Sequence, residues 1–276
     1  MKLSIQIART RFWLALASTM AVLSASNAQE GSKFSSDYIP NDAVVAGMFS
    51  PSQMMSSPDW EMMPTEVIRA AGLEYFGVDP LNIEAVKLIA GVPNPQAPQG
   101  GLVVRFGKDF AIGDLKPAVL NAFEKQEVNG RFVYQTRQEP VALMYQVDSR
   151  TIVVGMGGYF RSMLAASNGV EGKLPTMVNR LTHESGVTVV ADLNRIRPLI
   201  SGILQRSAQQ LPPPLRELAE FGQLADSVYV NLTFGAANGE FRLAVLGRDE
   251  ASAIRLESIL SNAIDFGRAT LMAQMM

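Results

Sequence analysis

The chain contains no cysteine and a single histidine, His183. Without cysteine, no disulfide bond can stabilise the protein and no lipid can be attached through a cysteine, so burial of apolar surface alone must hold the fold together. One histidine and no thiol also leave too few ligands for a zinc site built from nitrogen and sulfur. The sequence therefore predicts no metal-binding residues.

Catalytic motifs are absent as well. His183 is followed by Glu184, but Val187 stands four positions after the histidine, so the H-E-x-x-H spacing of zinc proteases is missing. No G-x-S-x-G motif occurs, although a Ser-His-Asp set is not excluded by residue counts. We interpret His183 as a solvated residue of a linker. The carboxylates are scattered without the spacing of an acid/base pair, so we predict no catalytic residues.

Two weaker patterns could bind ligands. Gly155-Met156-Gly157-Gly158 lies between a strand pattern and a helix pattern, where glycines can hold a phosphate, but the full G-x-G-x-x-G motif is missing and a plain turn is favoured. Met54, Met55, Met62 and Met63 carry thioethers that can bind Cu(I), but ordinary packing is favoured among the neighbouring Pro and Ser residues. We expect no bound cofactor.

The amino terminus has the pattern of an export signal. Three basic residues precede the apolar run 12–23, and Ser26-Asn27-Ala28 follows with small residues at the −3 and −1 positions. The run is shorter than the roughly 20 residues that cross a bilayer comfortably. We predict that residues 1–28 are a signal peptide cleaved before Gln29, and that no stable membrane span remains after cleavage. An uncleaved anchor is the alternative.

The net charge of the chain without residues 1–28 makes nucleic acid an unfavourable partner. Removal of residues 1–28 takes away three basic residues and no acidic ones, which leaves 21 basic against 26 acidic residues and a net charge of −5. A mildly acidic protein is a poor electrostatic match for nucleic acid. We therefore expect an exported protein, periplasmic or secreted, whose partner is an unknown protein or envelope component and not nucleic acid.

Alternating hydrophobicity occurs twice and organises the chain. Residues 84–91 and 101–107 flank a Pro/Gly-rich break, and residues 226–234 and 241–246 flank Asn238-Gly239. Period-two alternation on both sides of a turn signal predicts a β-hairpin. In each hairpin Val, Leu and Phe occupy one face, while Lys, Arg, Tyr, Asn and Thr occupy the other. We predict that only the first face is buried.

The remaining patterns predict helices and further strands around these hairpins. Helices are expected at 64–76, 112–123, 159–166, 194–206, 215–221 and 249–272. Strands are expected at 43–49, 131–137, 141–147, 151–156 and 187–193, the middle three as a meander.

The order of elements predicts an α+β fold of antiparallel sheets covered by helices, built from two ferredoxin-like repeat units. Each half contains a strand, helical segments, a hairpin and a helix, in that order, and the two halves are predicted to superpose. The predicted organisation is a signal peptide (1–28), a flexible leader (29–37), a first unit with an extra meander (38–166), a linker (167–186) and a second unit (187–276).

Three segments resemble a family of uncharacterised bacterial exported proteins that carry domains of unknown function. They are Tyr38-Ile39-Pro40-Asn41-Asp42-Ala43, Gly101-Leu102-Val103-Val104-Arg105-Phe106 and Asp148-Ser149-Arg150-Thr151-Ile152-Val153-Val154. The resemblance implies an envelope or secreted location and no enzyme chemistry, and it supplies no functional residues. Members of the family are often longer, which leaves open whether the chain is complete at Met276.

These observations favour a non-enzymatic binding or structural module of the cell envelope, with an unknown ligand. Two alternatives stay open. The first is a hydrolase that uses carboxylates or a serine together with His183, which a pocket with converging carboxylates would favour. The second is a solute-binding protein with a cleft between the two units.

Overall fold

The computed structural model describes residues 2–8, 34–56, 64–94, 96–128, 131–181, 186–233 and 239–275. The strands are β1 (Lys2–Ala8), β2 (Val45–Phe49), β3 (Ile83–Ala90), β4 (Gly100–Phe106), β5 (Phe123–Val128), β6 (Arg131–Thr136), β7 (Ala142–Gln146), β8 (Thr151–Met156), β9 (Gly186–Asp192), β10 (Ala225–Thr233) and β11 (Glu240–Gly247). The α-helices are α1 (Pro51–Met55), α2 (Thr65–Tyr75), α3 (Pro117–Leu120), α4 (Gly157–Ala165), α5 (Lys173–Val178), α6 (Arg197–Ala208), α7 (Phe221–Leu224) and α8 (Glu250–Met275). Short 3₁₀ helices lie at Pro80–Asn82, Ile112–Asp114 and Pro213–Glu220.

The protein has an α+β fold in which helices cover an antiparallel sheet, as the sequence predicts, but the strands form one sheet instead of the predicted separate sheets. The strand order is β1-β11-β10-β9-β2-β3-β4-β8-β7-β6-β5. Strands β3 and β4 are adjacent and antiparallel, with Lys87 opposite Val103, which confirms the first predicted hairpin. The predicted meander, β6 to β8, extends the sheet beyond β4, and β5 adds one more strand at the edge. The predicted superposition of the two halves stays a prediction.

The predicted helix 112–123 is wrong. The chain there forms the 3₁₀ helix Ile112–Asp114, then the single turn α3, and Phe123 already begins β5. Pro117 is the physical reason, because a proline lacks an N–H group and begins a new helix more readily than it continues one. The apolar residues of this segment still reach a core, since Ile112 is buried with Phe106, Met144 and Ile152.

The compact units divide the chain differently from the predicted boundaries. The first unit holds Gly31–Val190 with Val230–Phe241, and the second holds Ala191–Tyr229 with Arg242–Met276. The predicted linker 167–186 therefore lies in the first unit, where α5 buries Leu174, Pro175 and Val178. Clustered glycines suggested a linker, but three apolar side chains on one short helix are enough to pack it.

The leader also differs from its prediction. Residues 29–33 lie outside the described part of the chain, but residues 34–37 are packed. Phe34 is fully buried and Ser36 nearly so, and Ile39 behind them is fully buried too. The serines and glycine of this stretch suggested flexibility, whereas burial of one aromatic ring is enough to hold it.

In the first unit, the face of the sheet that carries Lys87 is buried. Cross-strand neighbours Met48, Lys87, Val103 and Val153 form one row, and each of them is buried. Leu88, on the opposite face, is 48% exposed. The prediction that the face carrying Lys87 is the solvent face is therefore wrong, since helices and the 34–40 segment cover that face.

Two glycines let a helix lie close to the sheet. Gly101 of β4 pairs with Gly155 of β8. A Cβ atom on Gly101 would lie only 2.4 Å from the Met163 sulfur, and one on Gly155 would lie 2.9 Å from the Phe160 Cα atom. Because neither glycine has a side chain, α4 can bury Phe160 and Met163 directly on the strands.

The second unit has its own core. Leu193, Ala225, Val245 and Leu256 are buried together, with Leu260 and residues of α6 and α7 packed around them. The first half of α8 supplies Leu256 and Leu260, two residues of the predicted apolar stripe. Within the described ranges, the helices are all too short or too polar to cross a membrane.

Candidate functional site

Lys87 is a buried charge in an apolar row. Its side chain is 9% exposed and lies between Met48 and Val103 on the neighbouring strands. The amine donates three hydrogen bonds, to the carbonyl oxygens of Ser35 and Asp37 at 2.8 Å each and to the Ser35 hydroxyl at 3.3 Å. An ammonium group has three N–H donors. All three are therefore engaged, and Lys87 anchors residues 35–37 to β3.

Burial lowers the pKa of Lys87 from 10.5 to about 8, because the charged form loses its hydration, and the nearby Asp37 carboxylate offsets part of this shift. The amine is still protonated at neutral pH. Carbonyl oxygens take the place of the lost water, which is the usual condition for keeping a charge inside a protein.

The anchored segment, residues 34–40, is held at several further points. The backbone N–H of Ser36 donates to Asn179 Oδ1 at 3.0 Å, and the backbone N–H of Tyr38 donates to the Ala166 carbonyl at 2.7 Å. The Ser35 hydroxyl donates to Asp37 Oδ2 at 2.9 Å. These bonds fix the positions of Asp37 and Tyr38 above the sheet.

Tyr38 has the backbone conformation that usually requires glycine, with φ at 65°. A bulky residue in this region carries strain of about 1–3 kcal/mol, and such strain is often found at functional sites. Burial raises the pKa of the Tyr38 hydroxyl, and the carboxylates of Asp148 and Asp37 raise it further because they oppose a second negative charge. Two carboxylates from distant parts of the chain thus lie near one phenol.

A β-bulge at Glu84 forms ion pairs with two arginines, Arg105 and Arg150. The pairing of β3 with β4 shifts register between Ile83 and Ala85, so Glu84 is the extra residue. Glu84 Oε2 accepts from Arg105 Nε at 3.2 Å and from a terminal nitrogen of Arg150 at 3.0 Å. Arg150 also donates through Nε to the Phe106 carbonyl at 2.8 Å. The bulge therefore ends the regular alternation and creates an Arg-Glu-Arg cluster.

These groups line one cavity of about 380 Å³, which we call the Tyr38 pocket. Its polar and charged lining residues are Ser35, Asp37, Tyr38, Glu84, Lys87, Arg105, Asp148, Thr151 and Ser167, and its apolar ones are Met48, Ala85 and Val103. The pocket lies within the first unit. It combines an apolar floor with charges of both signs, which is typical of small-molecule sites.

A second cavity of about 400 Å³ also lies in the first unit. Its charged lining residues are Asp42 and Glu139, beside the loop 96–99 and the start of α4. Asp42 Oδ1 is buried without a hydrogen-bond partner among the described residues. This cavity offers negative charge only, so the Tyr38 pocket has the richer chemistry.

Among the described residues that line the two cavities, none is the histidine or a methionine that the sequence offered as a candidate site. His183 and Glu184 lie outside the described residues, as do Met62 and Met63. Met54 and Met55 belong to the short helix α1. In the part of the chain that is described, His, Asp and Glu residues form no cluster able to hold a metal ion.

The glycine pattern 155–158 forms the β8–α4 turn, with φ of 42° at Gly157, and the Gly157 N–H donates to the Val141 carbonyl at 2.9 Å. Three of these residues, Met156, Gly157 and Gly158, border the second cavity. The plain turn that the sequence favours is what the structure has at this point.

The residues of the Tyr38 pocket were missed because each looks ordinary in the sequence. Lys87 fits the polar face of an alternating strand, and Arg105 follows the same pattern in β4. One signal was available: β3 has apolar residues on both of its faces, Val86 and Leu88 on one and Ile89 on the other, which is typical of a strand covered on both sides.

No family profile matches the chain, and no curated protein matches it either. Among solved structures, crystal form I of TP0453 aligns with a TM-score of 0.45 at 11% sequence identity, over 78% of this chain and 79% of that one. Crystal form III of TP0453 aligns with a TM-score of 0.44 at 12% identity, over 75% and 77%.

Proposed function

We propose that this chain is an exported, non-enzymatic binding protein of the cell envelope and that the Tyr38 pocket is its ligand site. The observation that carries the proposal is the strained, fixed backbone of Tyr38 at the wall of a cavity that two carboxylates, Asp37 and Asp148, also line. Strain at a bulky residue persists only when the surrounding contacts enforce it. A binding site benefits from such enforced geometry, because less ordering is needed when the ligand arrives.

The bonding state of the charged groups favours binding over catalysis. At neutral pH Lys87 is mostly protonated, and its three protons are engaged in hydrogen bonds to Ser35 and Asp37. Glu84 is neutralised by two arginines. What the pocket offers a ligand is a set of fixed charges and an apolar floor, and these recognise a molecule without transforming it.

Because the chain has no cysteine, a single engineered thiol can report on the pocket. Ser167→Cys places a thiol on the pocket wall, and Thr270→Cys on the exposed surface of α8 is the matched control. We expect the low-molecular-weight fraction of an envelope extract to slow maleimide labelling of Cys at 167 and to leave labelling at 270 unchanged. Equal labelling rates at position 167 with and without the extract would contradict a ligand site at this pocket.

A further inference from the structure

We propose that the Tyr38 pocket takes a small zwitterion, of the size of a free amino acid or a dipeptide, with its ammonium group at Asp37 and Asp148 and its carboxylate at Arg105. This inference rests on the proposed binding function and adds the chemical class of the ligand.

The charges around the pocket balance one another. Three carboxylates line the pocket, from Asp37, Glu84 and Asp148, against the cations of Lys87 and Arg105. Arg150 also forms an ion pair with Glu84, which brings the local sum to zero. A ligand with a net charge would disturb this balance, whereas a zwitterion leaves it unchanged. An unbalanced charge in a partly desolvated site is costly.

The pocket is bordered by two groups of residues whose net charges have opposite sign. Asp37 and Asp148 interact with Tyr38, and the Lys87 cation beside Asp37 reduces the charge of this group to −1, whereas Glu84, Arg105 and Arg150 together carry +1. A ligand that carries its charges at opposite ends matches such an arrangement. A ligand with a single charged group would leave one of the two regions without a partner.

Several polar atoms of the pocket keep hydrogen-bonding capacity for a ligand. Asp148 Oδ1 accepts from the backbone N–H of Arg150 at 2.7 Å, and Asp37 Oδ2 accepts from the Ser35 hydroxyl, so each carboxylate keeps one oxygen for a ligand. Arg105 uses Nε for Glu84, and within the described ranges its two terminal nitrogens have no hydrogen-bond acceptor. Those nitrogens can bind a carboxylate side by side, as guanidinium groups favour.

Size agrees with this ligand class. A cavity of about 380 Å³ is near the lower end of the range for small-molecule sites, roughly 300–1,000 Å³. Met48, Ala85 and Val103 add apolar surface to the lining of the pocket, which suits a small aliphatic side chain.

Four probes test the proposal by calorimetry on the purified protein: L-alanine, L-alanyl-L-alanine, N-acetyl-L-alanyl-L-alanine and L-alanyl-L-alanine amide. The two capped dipeptides have nearly the size of the free dipeptide but lack one charge each. We expect one or both uncapped probes to bind, and each capped dipeptide to bind at least about tenfold more weakly than the free dipeptide, because each leaves a charged group of the pocket unpaired.

Variants of the pocket locate the binding. Asp148→Asn and Arg105→Gln should each weaken binding of the best probe by about tenfold or more. Asp265→Asn and Arg195→Gln change the same residue types at exposed positions that do not line the pocket and should leave binding unchanged. Circular dichroism and thermal unfolding confirm that each variant is folded.

Several outcomes would contradict the proposal that the ligand is a zwitterion. They are equal affinity for a capped and an uncapped dipeptide, binding that survives both pocket variants, and no binding of either uncapped probe. If the extract still slows labelling at position 167 in these cases, the binding function stands and only the ligand class is wrong. If the extract gives no protection either, both proposals fail.

Discussion

The Nζ atom of Lys87 lies 2.8 Å from the carbonyl oxygen of Asp37, a residue 50 positions earlier in the chain. This hydrogen bond ties the segment 34–40 to the middle of β3. It also buries a positive charge among Met48, Val103 and Val153. The same contact therefore positions one wall of the Tyr38 pocket and makes the stability of the protein depend on pH.

Stability should rise between about pH 8 and pH 10.5 because of Lys87. Its pKa is lowered from 10.5 to about 8 in the folded protein, so within this window the unfolded chain holds a proton that the folded protein has released. Below about pH 8 both states are protonated, and the full cost of burying the charge is present. A shift of this size corresponds to at most about 3 kcal/mol over the whole window.

Urea unfolding from about pH 7.5 to pH 9.5 measures this effect. Lys87→Met should remove most of the rise in unfolding free energy with pH, whereas Lys108→Met, at an exposed position, should retain it. Lys87→Gln serves as a second variant, since its amide can still donate to the two carbonyl oxygens but does not titrate. Equal slopes in the wild type and both Lys87 variants would show that the amine does not control the pH dependence. The upper limit of the scan avoids ionisation of Tyr38, which acts with the opposite sign.

Leu174→Ala should destabilise the protein by about 2–5 kcal/mol. Leu174 is 1% exposed in helix α5, so its truncation leaves a cavity in the first unit. Leu73→Ala on α2, where the side chain is 42% exposed, should cost less than about 1 kcal/mol. Chemical denaturation of the two variants side by side distinguishes a packed segment from a linker at 167–186. A Leu174→Ala variant as stable as the wild type would restore the linker interpretation.

Gly101→Ala should cost about 1–3 kcal/mol, since the added methyl group would meet both the Met163 sulfur and the Val154 carbonyl oxygen at 2.4 Å. Gly113→Ala adds the same methyl group where no atom lies within 4 Å, and its effect should be small. Thermal unfolding of the pair measures the difference. If both variants melt at the same temperature, Gly101 is not required for the close packing of α4 on the strands.

The exported protein should begin at Gln29. The short apolar run 12–23 and the small residues at 26–28 motivate this expectation. Intact-mass analysis of protein recovered from the envelope or the medium measures it directly. Retention of Met1 in that material would instead favour the uncleaved anchor.

Several features of this protein were determined by the sequence alone. Alternation in 84–91 and 101–107 predicted a hairpin that the structure confirms, and the three runs between 131 and 156 predicted the meander. These elements follow from local patterns, because side chains on a strand alternate between faces whatever the strand packs against. The turn at 155–158 was likewise readable from its glycines and their position.

Only the tertiary structure decided which surfaces are buried. The alternation of Lys87 and Leu88 shows that they lie on opposite faces, but it does not show that the segment 34–40 covers the lysine while the leucine is 48% exposed. The Tyr38 pocket has the same origin, since Asp37, Arg105 and Asp148 come from separate segments. Contacts between residues far apart in sequence depend on the packing of the whole unit, and no local pattern encodes them.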